Sequence, residues 1–128
     1  MSLRDYFASV KGVGVLATAD ATGNPNVAIY ARPHFLDPKD DTAVSFIMSD
    51  RLSHANVQDN PRAAYLFHEA GDGFTGKRLS LSKVGEETDP EKIRSIRRRN
   101  VPSDCEVENA RFLVHFRVDA VRPLVGRG

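Results

Sequence analysis

Short apolar runs of period two, each ended by a cluster of turn formers, constrain this 128-residue chain more than any other feature. A period of two puts alternate side chains on opposite faces of a strand, and turns this closely spaced join neighbours as hairpins. Gly14 to Ala19 is the first run, and it stops at Asp20 to Pro25, where Asp, Thr, Gly, Asn and Pro gather. A second run, Asn26 to Leu36, follows at once, with Val27, Ile29, Ala31 and Phe35 on one side and Asn26, Ala28, Tyr30, Arg32 and His34 on the other. Pro33 lacks an N–H and limits how far this strand can pair. After the turn Asp37 to Asp41, Thr42 to Met48 presents Val44, Phe46 and Met48 on one face. Arg62 to Glu69 sets Ala63, Tyr65 and Phe67 against Ala64, Leu66 and His68; Lys77 to Val84 makes a fifth strand; Arg111 to Asp119 sets Phe112, Val114, Phe116 and Val118 against Leu113, His115 and Arg117. The pattern predicts six strands in a mainly antiparallel sheet that closes into a small barrel, because hairpins dominate and regular βαβ alternation is absent.

Three short helices complete the reading. Ser2 caps the first, with Leu3, Phe7 and Val10 on one face and Gly12 placed to end it. Ser53 to Asn60 is helix-compatible and stops before Pro61. Asp89, Pro90 and Glu91 open the third, and Arg97, Arg98 and Arg99 gather at its far end, where the helix dipole favours cations. With no repeat and no linker-like stretch, residues 1–128 are expected to form one domain. The chain is 41% hydrophobic and 27% charged, close to the globular average. With 18 basic and 17 acidic side chains the formal charge is +1, which argues against a general polyanion binder. The lone Cys105 excludes an internal disulfide and fits a reducing compartment. No apolar run spans a bilayer and the N-terminus lacks the order of a secretion signal, so a cytoplasmic location without membrane attachment is expected.

Few motifs survive comparison with ordinary structural roles. Gly71 to Gly76 matches GxGxxG, but strand-like residues flank it on both sides, so it is a hairpin loop and not the strand-to-helix turn that cradles a pyrophosphate. His34, His54, His68 and His115 lack the spacing of metal ligands, and no metal site is expected. The cluster Arg94 to Arg99 could contact nucleic acid; cations at a helix end, offset by Glu86, Glu87, Asp89 and Glu91, explain it better. The informative stretch is Met48 to Pro61, which places Ser49, Arg51 and Ser53 at the entrance to a helix, where unpaired N–H groups favour an anion such as phosphate.

Taken in order, GVLATADATGNPNVA, a third strand, SDRLSHANVQDNPRAAYLF and the closing VRPLVG resemble the FMN-binding split-barrel superfamily of pyridoxamine 5′-phosphate oxidase and its small flavoprotein relatives. The resemblance implies a six-stranded antiparallel Greek-key barrel, a homodimer, and FMN in a groove at the subunit interface. It implies that Ala28, Ile29, Tyr30 and Ala31 line the flavin ring and ribityl chain, with Phe46, Ile47, Met48 and Ser49 beside them. Arg51, Leu52 and Ser53 would hold the phosphate, Asn56 would support the turn, and Lys77 and Arg78 would reach the cofactor from the fifth strand. The oxidases carry a basic pair where this chain has Leu52 and Ser53, so Arg51 and backbone N–H groups must compensate. The chain ends at Gly128 without the oxidases' substrate-binding extension, and pyridoxamine phosphate oxidase activity is not expected. The resulting expectation is an FMN-dependent oxidoreductase or electron-transfer protein, with Tyr30, Arg32 and His34 as candidate substrate contacts. The alternatives are a deazaflavin- or haem-binding split barrel, and a non-catalytic dimer that binds a partner through Arg94 to Arg99.

Overall fold

The computed structural model of the chain describes residues 2–100 and 110–126, with side chains for 2–97 and 111–126. Cys105 and the side chains of Arg98 and Arg99, to which the sequence assigned roles, lie outside the described residues. The elements run α1 (Leu3–Ser9), β1 (Gly12–Ala19), β2 (Pro25–Ile29), β3 (Ala43–Ser49), α2 (Leu52–Asp59), β4 (Arg62–Glu69), β5 (Gly76–Glu87), α3 (Pro90–Asn100) and β6 (Ala110–Pro123). The expected six strands and three helices are therefore present. Every pairing is antiparallel, in the order β2-β1-β4-β5-β6-β3, and the sheet curls into a half-barrel.

The β1–β2 hairpin is set by Asp20. One of its carboxylate oxygens accepts from the backbone N–H groups of Thr22 and Asn24 and from the Thr22 hydroxyl, while Gly23 takes the positive φ of 90° that the turn needs. The Asn24 side-chain amide, donating to the other oxygen at 2.9 Å, contributes most, and together with these bonds it favours the charged form and holds the Asp20 carboxyl down to about 2.

The second strand is shorter than its sequence suggests. It pairs from Ala19↔Pro25 to Val15↔Ile29, makes one more bond from Tyr30 N–H to Gly14 O at 3.0 Å, and then leaves the ladder before Pro33. His34 re-enters pairing on the other side, exchanging two 2.8 Å backbone bonds with Ser45 of β3. One continuous segment therefore links the two edge strands and narrows the split in the barrel.

Gly12 does not end α1, contrary to expectation. The helix ends at Val10, whose N–H donates to Tyr6 O, and Gly12 opens β1. A Cβ at Gly12 would lie 2.2 Å from the carbonyl oxygen of His68, so strand proximity is what demands glycine here. The alternation expected for β6 also holds on one side only. Val114 and Phe116 join Leu16, Phe46, Met48, Tyr65, Phe67, Leu79 and Leu81 in the barrel core, but Leu113 is fully buried as well. Ile93 and Ile96 of α3, with Ile47, cover Leu113 and form a second small core outside the sheet. That layer fixes α3 against β6 and β3, the face on which the candidate site lies.

Candidate functional site

A groove of about 610 Å³ opens between β2 and its extension, the end of β3, the start of α2, and α3. Its volume falls within the roughly 300–1,000 Å³ of small-molecule sites. Ten of the fourteen residues predicted to hold a cofactor line it: Ala28, Ile29, Tyr30, Ala31, Phe46, Ile47, Ser49, Arg51, Leu52 and Ser53. Arg32 and His34, predicted substrate contacts, line it as well.

Four predicted residues sit elsewhere in the protomer. Met48 points into the core and is fully buried. Asn56 was expected to support the phosphate turn; it is buried and donates to the Thr18 hydroxyl at 3.0 Å, tying α2 to β1 outside the groove lining. Lys77 lies 4.7 Å from the centroid of the Tyr6 ring, and Arg78 donates to the carbonyls of Pro123 at 2.8 Å and Gly126 at 3.2 Å.

The groove also includes Asn26, Val27 and Arg97, which the sequence did not single out for it. By sequence Arg97 is one more cation at a helix end. The signal was present in the spacing: Arg97 follows the buried Ile93 by four residues, so both share the inward side of α3. Arg94, one residue after Ile93, points away and pairs with Glu91.

One end of the groove is built for an anion. Arg51 is the N-cap of α2 in extended conformation and makes no side-chain cap bond, so the first-turn N–H groups lack the usual side-chain acceptor. The positive end of the helix dipole adds to the Arg51 charge. Ser53 and Tyr30 supply hydroxyls beside it; burial pushes the Tyr30 phenol up, opposed by its hydrogen bond to Ser53 and by the Arg51 charge. Asn26 Nδ2 reaches Ser53 Oγ at 3.4 Å. Elsewhere the wall is largely apolar, made by Ala28 to Ala31, Phe46 and Ile47. Tyr65 holds this wall from behind, its hydroxyl 3.2 Å from the carbonyl oxygens of both Tyr30 and Ala31.

His34, which also lines the groove, is only 9% exposed, and burial lowers its imidazole to about 4. The unfolded imidazole protonates near 6.5, so between about pH 4 and 6.5 the unfolded chain binds more protons and stability falls as pH falls. Urea unfolding is expected to show a slope of up to about 1.4 kcal/mol per pH unit from this one group, absent in His34→Gln. The Glu86 and Glu87 carboxyls act in a different window. Burial raises Glu86, but bonds from Lys83 and His54 outweigh it; Lys92 and His115 hold Glu87 down. Their contributions are present above 4.5 and are lost only below it. An equal slope above pH 5 in His34→Gln would contradict the assignment.

Around the groove, α2 is anchored by His54, which stacks on Phe112 at 3.6 Å and bonds Glu86 at 3.1 Å. Among the described residues no group of three or more His, Cys, Asp or Glu could hold a metal ion, and no helix is long and apolar enough to cross a membrane.

No family model matches the chain, and no curated protein does. Solved structures do. An FMN-binding protein from Syntrophomonas wolfei superposes with a TM-score of 0.77 at 13% identity, over 99% of this chain and 86% of that one. An F420 reductase matches with a TM-score of 0.69 at 16% identity, over 95% and 98% of the two chains. A candidate pyridoxamine 5′-phosphate oxidase from Lactobacillus delbrueckii gives 0.63 at 19% identity, over 93% and 89%. At this identity the likeness is one of fold, shared over nearly the whole length with these pyridoxamine 5′-phosphate oxidase-like structures, and the fold is the one expected.

Proposed function

We propose that this chain, with the split-barrel fold of the pyridoxamine 5′-phosphate oxidase type, binds FMN in the groove and acts as an FMN-dependent oxidoreductase or electron carrier. The observation that carries this reading is the pairing, in one groove, of an anion site at the start of α2 with apolar residues of β2 and β3. The residues fit the group. Arg51, the first-turn N–H groups and the Ser53 and Tyr30 hydroxyls suit a dianionic phosphate; Ala28 to Ala31, Phe46 and Ile47 suit a planar ring. Bound FMN would supply hydride or electron transfer, and the chain's part is to hold the ring against the wall that Tyr65 braces.

The working unit in this reading is a homodimer. Val27 and Ile29 on the edge strand β2 are 68% and 72% exposed, and Leu52 is exposed beside them, all on the rim of the groove. An apolar rim of this kind is what a second copy would cover. Lys77 and Arg78 enter the site only through that second copy.

Titration with FMN, with the deazaflavin F420 and with haem separates the cofactor readings. Quenching of flavin fluorescence with saturable, stoichiometric uptake of FMN is expected, together with a dimer mass by light scattering. Uptake of F420 with none of FMN would replace the flavin reading by the deazaflavin one, which the likeness to an F420 reductase supports.

A further inference from the structure

The groove contains more recognition chemistry than one phosphate needs. Its described lining includes three arginines and no acidic residue. Arg32 is committed, donating to the carbonyls of Phe7 and Val10 at 2.9 and 3.0 Å. Arg51 belongs to the α2 end. Arg97 is half-buried and makes no ion pair or hydrogen bond among the described residues, although Arg62, Arg94, Arg111 and Arg117 all pair with carboxylates. His34 lines the same groove, nine-tenths buried. Its backbone is satisfied by Ser45, but its ring has no hydrogen-bond partner among the described residues. Among the described residues no fully buried side-chain nitrogen or oxygen lacks a hydrogen-bond partner, so the unpartnered His34 ring nitrogens open onto the groove, where a ligand can reach them.

We propose that the groove has a second subsite, at His34 and Arg97, which takes the carboxylate of an organic acid: Arg97 pairs with the carboxylate and the His34 imidazole hydrogen-bonds it. Charge selects the class. Among the described lining residues Arg97 is the one arginine beyond the α2 start that makes no ion pair or hydrogen bond, a charge that a monoanion balances, whereas the α2 start combines a charge, a helix dipole and hydroxyls and suits a dianion. A planar guanidinium also matches a carboxylate through two parallel bonds. The subsite rests on the groove being the ligand site proposed above, but not on FMN being its other occupant.

The test uses the whole protein, with benzoate and inorganic phosphate as probes in separate calorimetric titrations, with and without FMN. Benzoate is expected to bind in both conditions. Arg97→Gln should weaken benzoate binding about tenfold or more, the loss of one charge-assisted contact, while Arg94→Gln, on the outward side of α3, leaves it within about twofold. NMR of the histidine ring carbons provides a second measure: the His34 signal, assigned by its absence in His34→Gln, should move on adding benzoate and stay put in Arg97→Gln. Lack of benzoate binding, or equal affinity in Arg97→Gln, overturns the subsite. Loss of phosphate binding in Arg97→Gln without loss of benzoate binding overturns the carboxylate class. If FMN fails to bind while benzoate behaves as expected, the flavin reading falls and the subsite stands.

Discussion

Gly14→Val is expected to leave no stable fold, and Gly14→Ala to lose about 3 kcal/mol or more in urea unfolding. A Cβ at Gly14 would lie 1.8 Å from the Tyr65 hydroxyl oxygen, 2.4 Å from its Cζ and 2.6 Å from the carbonyl oxygen of Tyr30. None of these atoms can retreat cheaply. The Tyr65 ring is 1% exposed, with Phe46 at 5.1 Å and Phe7 at 6.2 Å between centroids, and Tyr30 is bonded back to Gly14 itself. Displacing the phenol would also break its hold on the Tyr30 and Ala31 carbonyls, so any folded Gly14→Ala protein should show a disturbed groove wall. Gly85→Ala is the control: its Cβ meets nothing within 4 Å, and its stability should change by no more than about 0.5 kcal/mol. A Gly14→Ala protein as stable as wild type would show that the close approach of β1 to Tyr65 is dispensable.

That contact was not legible in the sequence, and the reason separates what was read from what was missed. The strands announced themselves because each has one face against a common core: Tyr65 and Phe67 on β4, and Val44, Phe46 and Met48 on β3, fall inside as their alternation required. Leu113 broke the pattern because α3 supplies a second apolar layer, and a residue between two layers has no polar side to read. β2 was read too long because its apolar residues continue past Ile29; the ladder stops there because the chain crosses to β3, a pairing of His34 with Ser45 that no local pattern announces. The site divides in the same way. Ala28 to Ala31 and Arg51 to Ser53 are contiguous segments, and a resemblance in order and spacing was enough to bring them together. Arg97 reaches the groove from a helix more than forty residues along the chain, placed there by the packing of Ile93 and Ile96 on Leu113. Lys77 and Arg78 were placed by the same resemblance, and within one protomer they serve Tyr6 and the carbonyls of Pro123 and Gly126.

If the α2 start is the phosphate site, Arg51→Glu should lower FMN affinity by about a hundredfold or more, because it removes one charge-assisted contact and sets a like charge beside a dianion. The loss should be specific to binding. Arg51 is exposed and makes no side-chain cap bond, so stability without ligand should change by no more than about 0.5 kcal/mol. Ser53→Ala removes one neutral hydroxyl and should cost roughly five- to tenfold. Ionic strength separates this mechanism from simple shape loss: wild-type affinity should fall with added salt, and that dependence should be shallower in Arg51→Gln, where the attracting charge is gone. Arg78→Gln answers the remaining question of architecture. Arg78 is bonded to the carbonyls of Pro123 and Gly126 and does not line its own groove, so in the shared-site reading it acts on FMN from a second copy. Weaker FMN binding by Arg78→Gln, with Arg51→Glu as predicted, would make the site a shared one; an unchanged affinity would confine the phosphate's hold to Arg51, Ser53 and the start of α2.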